Sequence, residues 1–270
     1  MAQTLVKRYR PDGPGSARLE ALGLEWLGAV PGGARAAIVH RQTATSLEIE
    51  RFPTASPTLQ AAEAFGRALA RTHAAGASHF GAPPPGWEGP GWIGQAPMTF
   101  AQSAPTSWGE FYAAQRVMPY VRSALRNGSL TKAGAAVIER VAARLAGGRL
   151  DAPQPGLLAP AAAARLHGDL WAGNVLWLAQ PPADQAGWTG AALIDPAAHG
   201  GHAETDLAML ALFGLAHLDR VVAAYDEVSP LADGWRDRVA LHQIFPLLVH
   251  ASLFGGSYGQ AAVAAAQTCL

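Results

Sequence analysis

The chain has 270 residues, half of them hydrophobic and 15% charged, so it is a globular chain with room for one large or two ordinary domains, and a disordered one is excluded. Its 20 basic and 20 acidic residues cancel, and without a dense basic run neither nucleic acid nor an anionic membrane is an expected partner. A single cysteine, Cys269, leaves no intrachain disulfide framework and no cysteine zinc site. The first residues carry no apolar signal core, and no apolar run approaches the ~20 residues that cross a bilayer, so a cytoplasmic location is expected.

Thr4 to Tyr9 reads as a strand with Leu5, Lys7 and Tyr9 on one face, and a Pro/Gly turn at 11–15 ends it. Ser16 is a fitting N-cap for a helix from Ala17 to about Leu27, stopped by Pro31-Gly32-Gly33. Strands follow at Ala36–His40 and Thr45–Glu50. Ser56-Pro57 signals the start of a helix that runs to about His73. Residues 76–105, rich in proline and glycine, predict a long irregular loop anchored by Trp87 and Trp92, and loops of that length are often functional. Helices are expected from Thr106 to Arg126, kinked at Pro119, and from Thr131 to Ala146, closed by Gly147-Gly148. Val175–Leu178 and Ala191–Ile194 read as a hairpin around a polar loop at 179–190, and helices from about Ala203 to Ala266 complete the chain. The organisation expected is an α+β chain: a small sheet-bearing part at 1–53, a larger helical part at 54–270, and a hairpin unit at 165–196.

The stretch Leu166 to Trp177, L-H-G-D-L-W-A-G-N-V-L-W, carries the chemistry. His167, Asp169 and Asn174 stand at the His-x-Asp then Asn-at-plus-five spacing with which phosphoryl-transfer enzymes of the protein-kinase type place a base and a metal ligand on one loop. Asp195 ends the apolar strand A-L-I-D before Pro196, and a hairpin between the two aspartates returns both carboxylates to one end. Asp169 is the candidate general base, and Asn174 and Asp195 offer the hard oxygens that Mg²⁺ takes. His167 is expected to support the loop's backbone, and Gly168 and Trp171 to shape it. Lys7 on its strand and Glu20 on the next helix form a second pair, the lysine reaching phosphate oxygens and the glutamate holding it. Glu204 is weighed as a further ligand, and Asp206 is expected to cap its helix or bond the catalytic loop's backbone. His199 and His202 have the look of a metal pair without a third ligand and are expected to be loop histidines; the other histidines, His242 and His250 among them, show no ligand spacing.

With these segments in place, the chain resembles the fructosamine kinase (ketosamine 3-kinase) family, a branch of the aminoglycoside phosphotransferase and choline kinase group. The carrying segments are L-H-G-D-L-W-A-G-N-V-L, I-D-P-A-A-H-G-G-H-A-E-T-D-L-A-M-L-A-L-F-G, S-W-G-E-F-Y-A-A-Q-R-V-M-P-Y, F-G-R-A-L-A-R-T-H and L-F-G-G-S-Y-G-Q. The resemblance implies a two-lobe protein-kinase-like fold and an ATP-dependent small-molecule kinase. In it Asp169 accepts the proton, Asn174 and Asp195 bind the magnesium of MgATP, and Lys7 and Glu20 match the lysine–glutamate pair. Glu50 and Phe52 of E-R-F fall at the hinge that contacts adenine. The implied acceptor is a small molecule, a glycated amine or amino sugar phosphorylated at the sugar 3-hydroxyl. Relatives have two further strands and a phosphate-covering loop before the lysine strand; this sequence begins six residues before Lys7, so a truncated N-terminal lobe without a Gly-rich loop is expected. An aminoglycoside or amino-alcohol kinase, and a non-catalytic binding protein on the same scaffold, are the alternatives.

Overall fold

The structure, a computed structural model, describes residues 4–10, 14–159, 161–179 and 187–270. Only Pro14 and Gly15 of the expected turn at 11–15 are described, and residues 180–186 of the expected polar loop lie outside the described residues. The chain opens with β1 (Thr4–Arg8), α1 (Ala17–Gly28), β2 (Arg35–Ala36), β3 (Val39–Gln42) and β4 (Ser46–Glu50). β1 and β3 flank β4 in an antiparallel sheet, with Lys7 opposite Leu47. Ser16 caps α1 by accepting from Leu19 N, as its type and position predict. The single strand expected over Ala36–His40 is two. Ala37 N–H donates to Leu193 O while Ile38 O accepts from Glu50 N–H, so the chain changes partners between sheets within two residues. One extended run in sequence carries no mark of which sheet it joins.

α2 (Leu59–Ala74) begins two residues later than the Ser-Pro signal suggests: Thr58, whose side chain accepts from Ala61 N, is the N-cap. The expected irregular loop contains a short hairpin, β5 (Gly91–Ile93) and β6 (Ala96–Met98), followed by α3 (Trp108–Phe111), a π-helical turn (Tyr112–Val117) and α4 (Met118–Arg126). The break expected at Pro119 thus takes the form of a π turn just before it. Proline has no N–H for the carbonyl four residues back, and Gln115 O accepts instead from the Arg116 guanidinium at 3.3 Å. α5 (Lys132–Ala146) runs from Thr131 to Gly147 as read from its caps.

Next come β7 (Ala164–Leu166), a 3₁₀ turn (Ala172–Asn174), β8 (Val175–Trp177), β9 (Ala191–Leu193) and β10 (His199–Gly201). β8 and β9 form the expected antiparallel hairpin, β2 adds parallel to β9, and β7 pairs with β10. α6 (Ala203–Leu212), α7 (Leu218–Val228), α8 (Trp235–Phe254) and α9 (Tyr258–Gln267) complete the fold. α2 and α7 approach so closely that a Cβ on Gly66 would stand 2.1 Å from Val221 O. One core lies among the C-terminal helices, centred on Phe111, Ile138 and Phe245; a second joins α2 and α7 to the hairpin; a third sits under the β1-β4-β3 sheet. No helix among the described residues is long and apolar enough to cross a membrane.

Candidate active site

The loop from Leu166 to Asn174 is shaped by its own backbone requirements. Gly168 has φ +81°, and a Cβ there would stand 2.1 Å from Ala197 O, so only glycine fits. Burial pushes the His167 imidazole below its usual range. The ring accepts from Asp169 N–H at Nδ1 (3.3 Å) and donates from Nε2 to Ile194 O (2.9 Å), which ties the loop to the end of β9. Asp206, near the start of α6 and 1% exposed, accepts from His167 N–H (2.7 Å), Gly168 N–H (3.0 Å) and His73 Nε2–H (3.2 Å). It is the buried post on which the loop hangs, as its position suggested.

The 3₁₀ turn brings Asn174 back onto the loop. Its Nδ2 donates to Asp169 O at 2.8 Å and lies 3.4 Å from Asp169 Oδ2 and 3.5 Å from Asp195 O. The hairpin delivers Asp195 in the left-handed region, φ 55°, a conformation that costs a non-glycine residue energy and clusters at functional sites. Desolvation first, then the Asp195 and Asp206 charges, push the Asp169 carboxyl up to about 6. It is thus a stronger base than a surface aspartate and still mostly ionised at neutral pH.

Across the cavity, Lys7 Nζ donates to Glu20 Oε1 (2.6 Å) and to Asp195 Oδ1 (2.5 Å). Its burial favours the neutral amine, but the two carboxylates outweigh that and raise its pKa. The Tyr9 hydroxyl donates to the other oxygen of Glu20, and burial followed by that carboxylate raises the phenol's pKa. Asn174 Oδ1 and Asp195 Oδ2 have no hydrogen-bond partner among the described residues. Two free hard oxygens at one rim suit Mg²⁺, which keeps several water or phosphate ligands besides. A cavity of about 320 Å³ is lined by Lys7, Tyr9, Glu20, Asp169, Asn174 and Asp195, so the first strand and helix meet the loop and hairpin of the second half of the chain there.

Glu50 and Phe52 do not line this cavity. Glu50 binds Arg35 (2.5 Å), and Phe52 is buried under the same guanidinium, 4.9 Å from the ring centre. Glu204 and the histidines near it are also elsewhere. Glu204 accepts from Arg238 through both oxygens (2.6 and 2.9 Å), and His202, in the connection between β10 and α6, is the buried N-cap of α6, accepting from Glu204 N–H. The third residue of that group is His242, which sequence spacing leaves unconnected; its Nε2 lies 3.3 Å from Glu204 Oε2 without hydrogen-bond alignment. With Arg238 on both carboxylate oxygens, the group is a buried ion-pair network rather than an open metal site. His199 is likewise buried, donating from Nδ1 to Ala197 O, and burial lowers it to about 3.

Sequence reasoning missed Tyr9, which alternation places on the face of Lys7 but which has no motif of its own. It also missed the β5–β6 hairpin, whose Trp92 and Gly94 line the cavity. Trp171, expected to shape the loop, does pack over Gly173, where a Cβ would meet its ring at 2.3 Å, but it is 42% exposed and lines the cavity as well.

A loop carrying Asp169 and Asn174, a carboxylate at the end of a hairpin, and a strand lysine paired to a helix glutamate form the arrangement of a protein-kinase-like fold. The fold agrees: a macrolide 2′-phosphotransferase from Brachybacterium faecium superimposes with a TM-score of 0.54 at 16% identity, covering 98% of this chain and 84% of that one. The chain belongs to the fructosamine kinase family, whose sequence profile matches residues 17–270. A crystal structure of a "putative fructosamine-3-kinase" from Thermobifida fusca has a TM-score of 0.85 and 45% identity, covering 99% of this chain and 85% of that one. A "probable ketoamine kinase" from Synechocystis is 32% identical over 208 residues, 76% of this chain. That alignment spans 61% of the relative's own length, and one with a "probable ketoamine kinase" from Enterococcus faecium spans 31%.

Proposed function

We propose that the protein transfers the γ-phosphoryl group of ATP to a sugar hydroxyl of a ketosamine, a glycated amine of the fructosamine or ribulosamine type. The observation that carries this reading is the convergence of Asp169, Asn174, Asp195 and the Lys7–Glu20 pair on one cavity. The acceptor hydroxyl gives its proton to Asp169 as its oxygen attacks the γ-phosphorus; the bond to the bridging oxygen breaks and ADP leaves. Lys7, held by Glu20, is placed to bind nucleotide phosphate oxygens, and Asn174 and Asp195 would hold Mg²⁺. When bound, that ion neutralises charge on the phosphates during transfer. Asn174 also fixes the Asp169 backbone, so the base is oriented before substrate arrives.

The family's name and the ketoamine kinase names of its relatives support the ketosamine acceptor. A polycationic aminoglycoside fits less well, because Asp169 is the one carboxylate among the residues lining the second cavity beside it. The test is ATP consumption with fructosamine and ribulosamine acceptors by the native chain and by Asp169→Ala. Turnover by the native chain alone is expected. No turnover across a panel of amine sugars, together with no binding of Mg-nucleotide, would overturn the reading in favour of a non-catalytic binding protein.

A further inference from the structure

Asp169 also borders a smaller cavity, of about 180 Å³, whose other walls include Trp171, Met209, Val249, His250 and Phe254. No lysine or arginine lines it, and with Asp169 committed to the reacting hydroxyl, no second carboxylate is present to hold a cation. What its lining offers instead is one histidine and two aromatic rings, Trp171 and Phe254. His250 lies in the last turns of α8, and its Nδ1 is 2.8 Å from Pro246 O. A carbonyl only accepts, so Nδ1 carries the proton, and in the neutral ring Nε2 carries the lone pair. No group among the described residues donates to Nε2.

The imidazole is held in place rather than free to swing. Its ring centre lies 4.9 Å from that of Phe213, 5.5 Å from Phe254 and 5.0 Å from Tyr258, and Phe213 in turn meets Trp171 edge-on at 6.4 Å. Three of these rings are large apolar groups left in solvent: Trp171 is 42%, Phe213 39% and Phe254 69% exposed. Exposed aromatic faces around a fixed hydrogen-bond acceptor are a poor arrangement for an anion or a polycation. They suit a single alkylammonium, which the ring quadrupoles attract while one N–H finds the lone pair.

We propose that His250 is the residue that selects the acceptor by its amine: Nε2 receives an N–H from a singly charged amine substituent while a hydroxyl of the attached sugar faces Asp169. This rests on the ketosamine reading above and names the group that would distinguish a ketosamine from the sugar alone. His250 is a specificity residue; it takes no part in proton transfer.

The experiment compares two acceptors, a fructosamine with a small alkyl amine and fructose, which has a hydroxyl in place of the amine. Each is assayed with the native chain, His250→Phe, which keeps the aromatic packing but loses the nitrogen, and His250→Gln, which returns an acceptor oxygen at similar reach. The native chain is expected to prefer the fructosamine. His250→Phe should lose about 10- to 100-fold in kcat/KM for the fructosamine, mainly through the acceptor's KM, and less than threefold for fructose. His250→Gln should recover part of the loss. Equal losses on both acceptors, or none on either, would overturn the role given to His250 while leaving the kinase reading intact. Absence of turnover by the native chain with either acceptor would remove both. Urea midpoints of the two variants close to the native value separate a binding defect from misfolding.

Discussion

Replacing Asp206 by asparagine changes one atom of a buried residue that lines neither cavity, yet it should cost both stability and turnover. The carboxylate is 1% exposed and accepts three hydrogen bonds, from His167 N–H and His73 on one oxygen and from Gly168 N–H on the other. Burial alone would raise its pKa, but His73 first, then His167 and the Gly168 N–H, outweigh that and hold it below the ordinary aspartate value. An amide can keep only one of the two oxygens. Whichever way it turns, its NH₂ confronts a backbone N–H that has no other partner, and the remaining bonds lose their charge assistance. A lost bond to a charged group is worth about 1.5–3 kcal/mol and a stranded buried donor about 1–3 kcal/mol, so the sum is about 3–5 kcal/mol. Against a total stability of about 5–15 kcal/mol this is a large fraction, and it should lower the melting midpoint by roughly 6–15 °C. Because the same N–H groups set the position of Asp169, kcat should fall as well, by about 10²-fold for a displacement near 1 Å. Urea unfolding gives the first quantity and single-turnover kinetics the second. An Asp206→Asn chain that unfolds within about 0.5 kcal/mol of native and turns over at more than half the native rate would refute the argument.

Other substitutions separate chemistry from support. Asp169→Asn removes a half-buried carboxylate that faces Asp195, so kcat should fall by at least 10²–10⁴-fold while the melting midpoint stays level or rises; a lowered midpoint would contradict the repulsion described. Tyr9→Phe leaves Glu20 with one partner instead of two, and the KM for ATP should rise several-fold with a smaller change in kcat, read from steady-state kinetics. Glu204 should contribute to acid stability. Burial alone would raise its pKa, but His242 and Arg238 hold it at about 2 against an ordinary value near 4.5. A depressed carboxyl stabilises the fold fully above 4.5 and loses that contribution as pH falls towards 2, up to about 3 kcal/mol. In Glu204→Gln the pH dependence of unfolding should flatten over that window, and parallel profiles would contradict the assignment. Removing divalent ions with a chelator should abolish turnover and added Mg²⁺ should restore it, whereas persistent turnover in excess chelator would exclude the role given to Asn174 and Asp195.

Local rules made much of the architecture readable before any contact was known. Ser16 and Thr131 cap helices because a short oxygen there satisfies an orphan N–H, and the two short apolar runs around Val175 and Leu193, separated by a polar loop, mark a hairpin whatever packs on it. The spacing of His167, Asp169 and Asn174 reads as one loop because all three lie within eight residues, where chain geometry is nearly local. Gly168 lies in the same loop, and its left-handed φ together with the close approach of Ala197 O leaves no room for a Cβ.

What the sequence could not express is which distant groups end up paired. Asp195 meets Lys7 across 188 residues, Asp206 takes the N–H groups of a loop 38 and 39 residues earlier, and the run at Ala36–His40 divides between two sheets. Such pairings depend on how helices and strands pack, and side-chain chemistry alone permits many of them. His242 and His250 show the consequence most plainly. They sit eight residues apart on α8 without ligand spacing; packing buries one beside Glu204 and Arg238 and sets the other, nitrogen free, at a cavity that Asp169 shares. Short-range spacing therefore marked the candidate loop and the class of chemistry proposed for it. The walls of the candidate site were decided only by packing, which brings the lysine strand, the β5–β6 hairpin and the last turns of α8 to that loop.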